Sequence, residues 1–98
     1  MDVDFEDTSL KRLEVDPGFT AGYDAAIVKT FRKRIQLIRA AVDERAFYAL
    51  KSLHYEKLKG DLDGQSSMRL NDQWRLLLRI QQDKNGKTVV IISIADYH

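Results

Sequence analysis

The chain has 98 residues, too few for a separate cofactor-binding half beside a compact core. With 44% hydrophobic and 32% charged residues its composition is that of a folded globular protein, and the absence of cysteine excludes a disulfide framework, a zinc ribbon and a thiol nucleophile. The formal net charge of +1 hides a polarity: residues 1–24 hold seven acids against two bases, residues 25–60 nine bases against three acids, and residues 61–98 five of each.

In chain order, residues 3–6 predict a short first strand. Asp7, Thr8 and Ser9 offer N-caps to a short helix through Leu10 and Leu13, which Pro17-Gly18 ends. Residues 24–41 predict the principal helix. Ile27, Phe31, Ile35, Ile38 and Val42 fall in one arc at about 100° per residue, with Val28 at its edge. Lys29, Arg32, Lys33, Gln36 and Arg39 fall on the opposite, outward face. After an interruption at Asp43-Glu44-Arg45, residues 46–53 predict a further short helix, and residues 57–64 a loop with a glycine at each turn. The period then changes to two. Residues 67–71 read as a strand. Over residues 74–80, Trp74, Leu76, Leu78 and Ile80 face one way and Arg75, Leu77 and Arg79 the other. Asp83-Lys84-Asn85-Gly86 predicts a hairpin turn, and residues 88–95, β-branched and apolar on both faces, a central strand. The expectation is an α+β fold: N-terminal helices packed on a C-terminal antiparallel sheet, in one domain spanning residues 1–98.

The apolar run at residues 89–92 is far short of the ~20 residues that cross a bilayer. The acidic opening Met1-Asp2-Val3-Asp4 lacks the cationic start of a secretory signal. These features predict a soluble cytoplasmic protein with no membrane partner. The basic block at residues 25–60 predicts a polyanion-binding surface; the alternative is a solvated helix face offset by the acidic N-terminal segment.

Two groups of side chains suit catalysis. His98 follows the predicted central strand, and histidine is the usual general acid or base near neutral pH, with Asp96 able to orient it; the alternative is a frayed, inert terminal histidine. Lys57, Lys59, Arg69, Arg75 and Arg79 form the second group, with arginine suited to grip phosphate in a bidentate fork; the alternative is ordinary surface pairing with Asp61, Asp63 and Asp72. Walker, GxGxxG, GxSxG and HExxH motifs are all missing, and two distant histidines without cysteine make a poor metal site. This inventory suits acid–base chemistry without metal or other cofactor on a charged substrate. RNA cleavage by its own 2′-OH fits, because it requires only a base, an acid and cations on the phosphate.

Three segments together carry a resemblance: Leu58-Lys59-Gly60-Asp61, the run Ser67-Met68-Arg69-Leu70-Asn71-Asp72-Gln73-Trp74-Arg75, and the final Asp96-Tyr97-His98. The combination resembles the HigB-type toxins of the RelE/ParE superfamily, most sharply over residues 53–98. The resemblance implies a microbial-ribonuclease-like (RelE-like) fold and a ribosome-dependent endoribonuclease, an mRNA interferase that cuts the codon in the A site. It implies a HigA-type helix-turn-helix antitoxin as partner, with ribosome and mRNA as targets and operator DNA bound only through the antitoxin. Carried over by position, Lys59 and Arg75 match the phosphate-binding cations, and Asp96, Tyr97 and His98 the catalytic C-terminal cluster. Lys57, Arg69, Gln73 and Arg79 are added as substrate-binding residues, and Lys29, Arg32, Lys33 and Arg39 as a face toward ribosomal RNA. Some members place a histidine just before the LKGD-like loop; His54, five residues before Lys59, is the candidate here and stands behind the others. Two rival readings are a ParE-like gyrase poison, which the histidine-terminated end disfavours, and a degenerate toxin that only holds its antitoxin and co-represses.

Overall fold

A computed structural model describes residues 1–96; the expectations placed on Tyr97 and His98 lie outside the described residues. The chain opens with strand β1 (Asp2–Phe5) and helix α1 (Thr8–Val15). The Asp7 carboxylate caps α1 by accepting the Ser9 N–H at 2.7 Å, and Leu10 and Leu13 turn inward. Helix α2 (Ala25–Ala40) starts at Asp24 in the same way, its side chain accepting from the Ala26 N–H. Its buried stripe is Ile27, Val28, Phe31, Ile35 and Ile38. Val42, expected to extend that stripe, is 89% exposed. The backbone becomes extended at Ala41, so the helical period no longer applies two residues later.

The helix expected over residues 46–53 is two pieces: α3 (Arg45–Ala49) and a 3-10 turn at Lys51–Leu53, separated by an extended Leu50. Phe47 and Leu53 are both buried in the core. In one continuous helix, six residues apart, they would point about 120° away from each other. The break lets both reach the same interior.

Strands β2 (Glu56–Lys57), β3 (Ser66–Arg69), β4 (Trp74–Asp83) and β5 (Gly86–Asp96) complete the molecule. They form a sheet of order β1-β5-β4-β3-β2. Strands β3, β4 and β5 pair antiparallel as expected; β2 adds an antiparallel edge strand whose Lys57 was expected in a loop, and β1 joins β5 in parallel, Asp2 opposite Thr88 and Phe5 opposite Ile91. The sheet is therefore mixed rather than antiparallel throughout, and β5 is an interior strand with neighbours on both sides. The β4–β5 turn at Lys84-Asn85 closes on Gly86, which takes a φ of 122° that L side chains rarely adopt.

Helices cover one face of this sheet. Met68, Leu76, Leu78, Val89, Ile91 and Ile94 join the helical stripes in one core. Val89 and Ile91 keep a period of two, yet Ile94 breaks it. The register explains this: Leu77 pairs with Ser93 but Leu78 with Ile91, so Ile92 is an extra bulged residue. The bulge shifts the alternation by one, which returns Ile94 to the core and keeps Ser93 off it. No helix among the described residues is long and apolar enough to cross a membrane.

Candidate active site

The β3–β4 connection positions the site. Asn71 Oδ1 accepts the backbone N–H groups of Gln73 (2.8 Å) and Trp74 (2.7 Å), fixing the turn, while Trp74 stands edge-on to Tyr23 beneath it. The register this imposes sets Arg69 directly opposite Arg75, and Ser67 opposite Leu77 and Glu56. By strand alternation Glu56, Ser67, Arg69 and Arg75 share the face away from the helices, because Met68 and Leu76 between them are fully buried in the helix-side core.

Like charges directly across a sheet are destabilising. The fold accommodates this pair by tying each guanidinium down. Arg75 Nε donates to Ser67 Oγ at 2.9 Å, and its Nη2 donates to the His54 carbonyl and lies 3.7 Å from Glu56 Oε1. The Arg75 side chain is only 12% exposed, so its orientation is held by packing as well as by these bonds. Arg69 pairs with Asp72, and its Nη1 lies 3.5 Å from His54 Nε2. The Arg69 carbonyl accepts from Arg34 Nε at 3.2 Å, which fastens this end of β3 to α2. Burial pushes the Arg34 guanidinium below its ordinary pKa.

His54 follows the Lys51–Leu53 turn in a left-handed conformation, φ 45° and ψ 47°. Non-glycine residues occupy this region at a cost and are concentrated at functional sites. Here the conformation directs the His54 carbonyl to Arg75 and its ring to Arg69. His54, Arg69, Asn71, Asp72 and Arg75 line a cleft of about 240 Å³.

The other expected residues divide. Asp96 lies opposite Trp74 and accepts a hydrogen bond from Gln73 Nε2 at 3.1 Å. Neither lines the cleft, and alternation sends Asp96 to the Trp74 face while Arg75 takes the other. Lys59 is exposed at the start of the Gly60–Leu62 turn and does not line the cleft. Lys57 pairs with Ser66 and lies on the helix side of the sheet, in a second cleft with Tyr55, Gln65 and Lys87. Arg79 is roughly 13 Å along β4 from Arg75 at strand spacing, where it pairs with Glu6.

The basic face of α2 is not uniformly outward. Arg32 folds back to donate to the carbonyls of Leu13 (2.9 Å), Asp16 (2.9 Å) and Phe19 (3.3 Å), satisfying acceptors at the end of α1 and its exit loop. Arg39 grips Glu14 with two bonds, at 2.9 and 2.8 Å. Lys29 and Lys33 are the members of this set that stay exposed without an ion pair among the described residues. Sequence reasoning ranked His54 low and passed over Glu56 and Ser67; the left-handed turn, the β2–β3 pairing and the β3–β4 pairing bring them to the arginines.

Known proteins share this arrangement of strands and helices. A toxin from Agrobacterium tumefaciens, described as YoeB/ParE, superposes with a TM-score of 0.63 at 21% identity over 100% of both chains. The YoeB–YefM complex from Staphylococcus aureus gives 0.62 at 21% identity, covering 100% of this chain and 97% of that one. YafQ from E. coli gives 0.58 at 10% identity, over 97% and 91%. At these identities the likeness is one of fold. No curated protein matches the chain. A family model described as RelE-like toxin of type II toxin–antitoxin system HigB matches residues 3–98. With nearly its whole length matched, the chain belongs to this family of RelE-like type II toxins.

Proposed function

We propose that this toxin is an endoribonuclease that cuts mRNA in the ribosomal A site, and that the Arg69–Arg75 cleft is where it does so. The observation that carries this reading is the pair of arginines facing each other across β3 and β4 with an imidazole and a carboxylate beside them. Two opposed cations are a cost to the fold that a bound phosphate repays.

In the reaction a base takes the proton of a nucleotide 2′-OH. That oxygen attacks the adjacent phosphorus, and the bond from phosphorus to the 5′-oxygen breaks. An acid returns a proton to the leaving 5′-oxygen, giving a 2′,3′-cyclic phosphate and a 5′-hydroxyl. Arg75 and Arg69 stabilise the charge that grows on the phosphorane, a task that rewards donors fixed in advance. The Glu56 carboxylate beside Arg75 and the His54 ring beside Arg69 are the described groups placed to move protons. Asp96, Tyr97 and His98 remain assigned to the same chemistry, and Lys59 to the phosphate, through the resemblance of their motifs to HigB-type toxins. None of these steps requires a metal ion.

Lys29 and Lys33 supply an exposed cationic edge for ribosomal RNA, an attraction that weakens with salt. A neutralising antitoxin, of the HigA helix-turn-helix type, is the expected partner; the Staphylococcus aureus relative is described in complex with YefM. The test is induction of the toxin in bacteria followed by primer extension on translated messages. The proposal expects cuts inside codons within minutes of induction, absent from the untranslated regions. Growth arrest with intact messages would overturn it.

A further inference from the structure

Lys57 was expected to bind RNA, yet it opens on the other side of the sheet from Arg75, and its surroundings suit a different ligand. The cleft it lines, about 450 Å³, is walled by Glu44, by residues 63–65 and by side chains of β2 to β5, from Lys57 to Lys87. Its charged members are Lys57, Lys87, Glu44 and Asp63, two of each sign, so it offers a polyanion no net attraction. Lys87 is already held by both oxygens of Glu44 at 2.9 Å, and Lys57 has no ion-pair partner among the described residues. Gln65 Oε1 is buried at the cleft wall and accepts no hydrogen bond from the described residues, a cost that a donor from outside removes. An aromatic ring extends the cleft outward: Tyr48, 51% exposed, stands edge-on to the lining Tyr55 at 4.9 Å between ring centres. An exposed aromatic ring beside a cleft of no net charge suits protein recognition.

We infer that this cleft is the seat of the antitoxin, taking an amphipathic acidic segment that lays an apolar side chain against the exposed Tyr48 ring, a carboxylate on Lys57 and a hydrogen-bond donor on Gln65. The inference rests on the antitoxin partnership proposed above and assigns that partner a surface separate from the RNA cleft. The unmatched Lys57 sets the sign of the segment, the unmatched Gln65 acceptor its donor, and the exposed Tyr48 ring its apolar side chain.

The test measures binding of the antitoxin encoded with this toxin to the full-length chain by calorimetry, with circular dichroism melts to confirm folding. Lys57→Glu and Tyr48→Ser should each weaken binding at least tenfold. Lys57→Gln should weaken it less, and its deficit should shrink at high salt. Lys11→Glu, a charge reversal on the exposed side of α1, should stay within twofold of the parent. Antitoxin affinity unaffected by both Lys57→Glu and Tyr48→Ser would overturn the assignment. So would a selective loss of ribosome binding in Lys57→Glu, which returns the cleft to RNA, or loss by Tyr48→Ser of a self-dimer seen by light scattering, which gives it to a second copy. Because the readout is binding, it separates from the nuclease proposal: a toxin that cuts no RNA but loses its antitoxin on Lys57→Glu keeps the seat and loses only the nuclease.

Discussion

Replacing Arg75 by alanine separates an architectural arginine from one that works on phosphate. The substitution removes the donor to Ser67 Oγ at 2.9 Å, the donor to the His54 carbonyl and the charge 3.7 Å from Glu56. Ser67 is fully buried, so an acceptor left without its donor there costs about 1–3 kcal/mol. The Glu56 pair adds little, because that carboxylate is 54% exposed and such pairs contribute about 0–1 kcal/mol. Relief of the Arg69–Arg75 repulsion works in the opposite direction. The net loss of stability is about 1–2 kcal/mol, and each kcal/mol lowers Tm by roughly 4–8 °C in a domain of this size. Catalysis should suffer more. Removing one preorganised donor from a developing oxyanion typically costs ~2.7–4 kcal/mol, about a hundred- to a thousand-fold in rate. The assay is single-turnover cleavage on programmed ribosomes, well below the Tm of the variant, with ribosome affinity measured alongside. Arg75→Lys, which keeps charge but loses the fork, should fall between alanine and the parent. A folded Arg75→Ala protein that cleaves at the parent rate would refute the reasoning and leave Arg75 as a brace for His54.

Reversing Lys29 and Lys33 to Glu should weaken ribosome binding in a salt-dependent way and leave Tm unchanged, whereas Arg32→Ala should cost about 2–3 kcal/mol through its lost carbonyl contacts and be visible in thermal melts. His54→Gly relieves a left-handed φ of 45°, so Tm should hold or rise while cleavage falls; a fall in both would make the residue purely structural. Burial holds the Tyr55 phenol above its ordinary pKa of 10.0, against a smaller opposing pull from its Ser66 hydrogen bond. Because the folded value is the raised one, its contribution is whole below about pH 10 and is lost as pH climbs toward that value. Tm should therefore be steady to that point and decline above it, and Tyr55→Phe should flatten the alkaline limb.

Much of the fold was legible because its signals are local. The α2 stripe, the alternation of β4 and the turn at residues 83–86 each arise within one element, where periodicity reports burial directly. The parallel pairing of β1 had no such signal, since it joins residues from opposite ends of the chain, Asp2 and Thr88, and no local period reports a distant partner. The bulge at Ile92 was hidden by a run of apolar residues that read equally well in either parity. The outward basic face expected of α2 holds for the exposed Lys29 and Lys33 and fails at Arg32. Arg32 is long enough to reach back to the carbonyls at the end of α1, which a helical wheel does not represent. The site divides along the same line. Arg75 and the Asn71 turn belong to one contiguous motif, while His54 and Glu56 reach it through a left-handed residue and a two-residue strand that leave no periodic trace.

The central claim is that the cleft acts on mRNA held by the ribosome. The most direct measurement incubates the purified toxin with one message in two forms, naked and positioned with a chosen codon in the A site of a purified ribosome. The account predicts cleavage within that codon on the ribosome, yielding a 2′,3′-cyclic phosphate end, and negligible cleavage of the naked message at the same concentration. Equal cleavage of both forms, or an intact message in each, would contradict it.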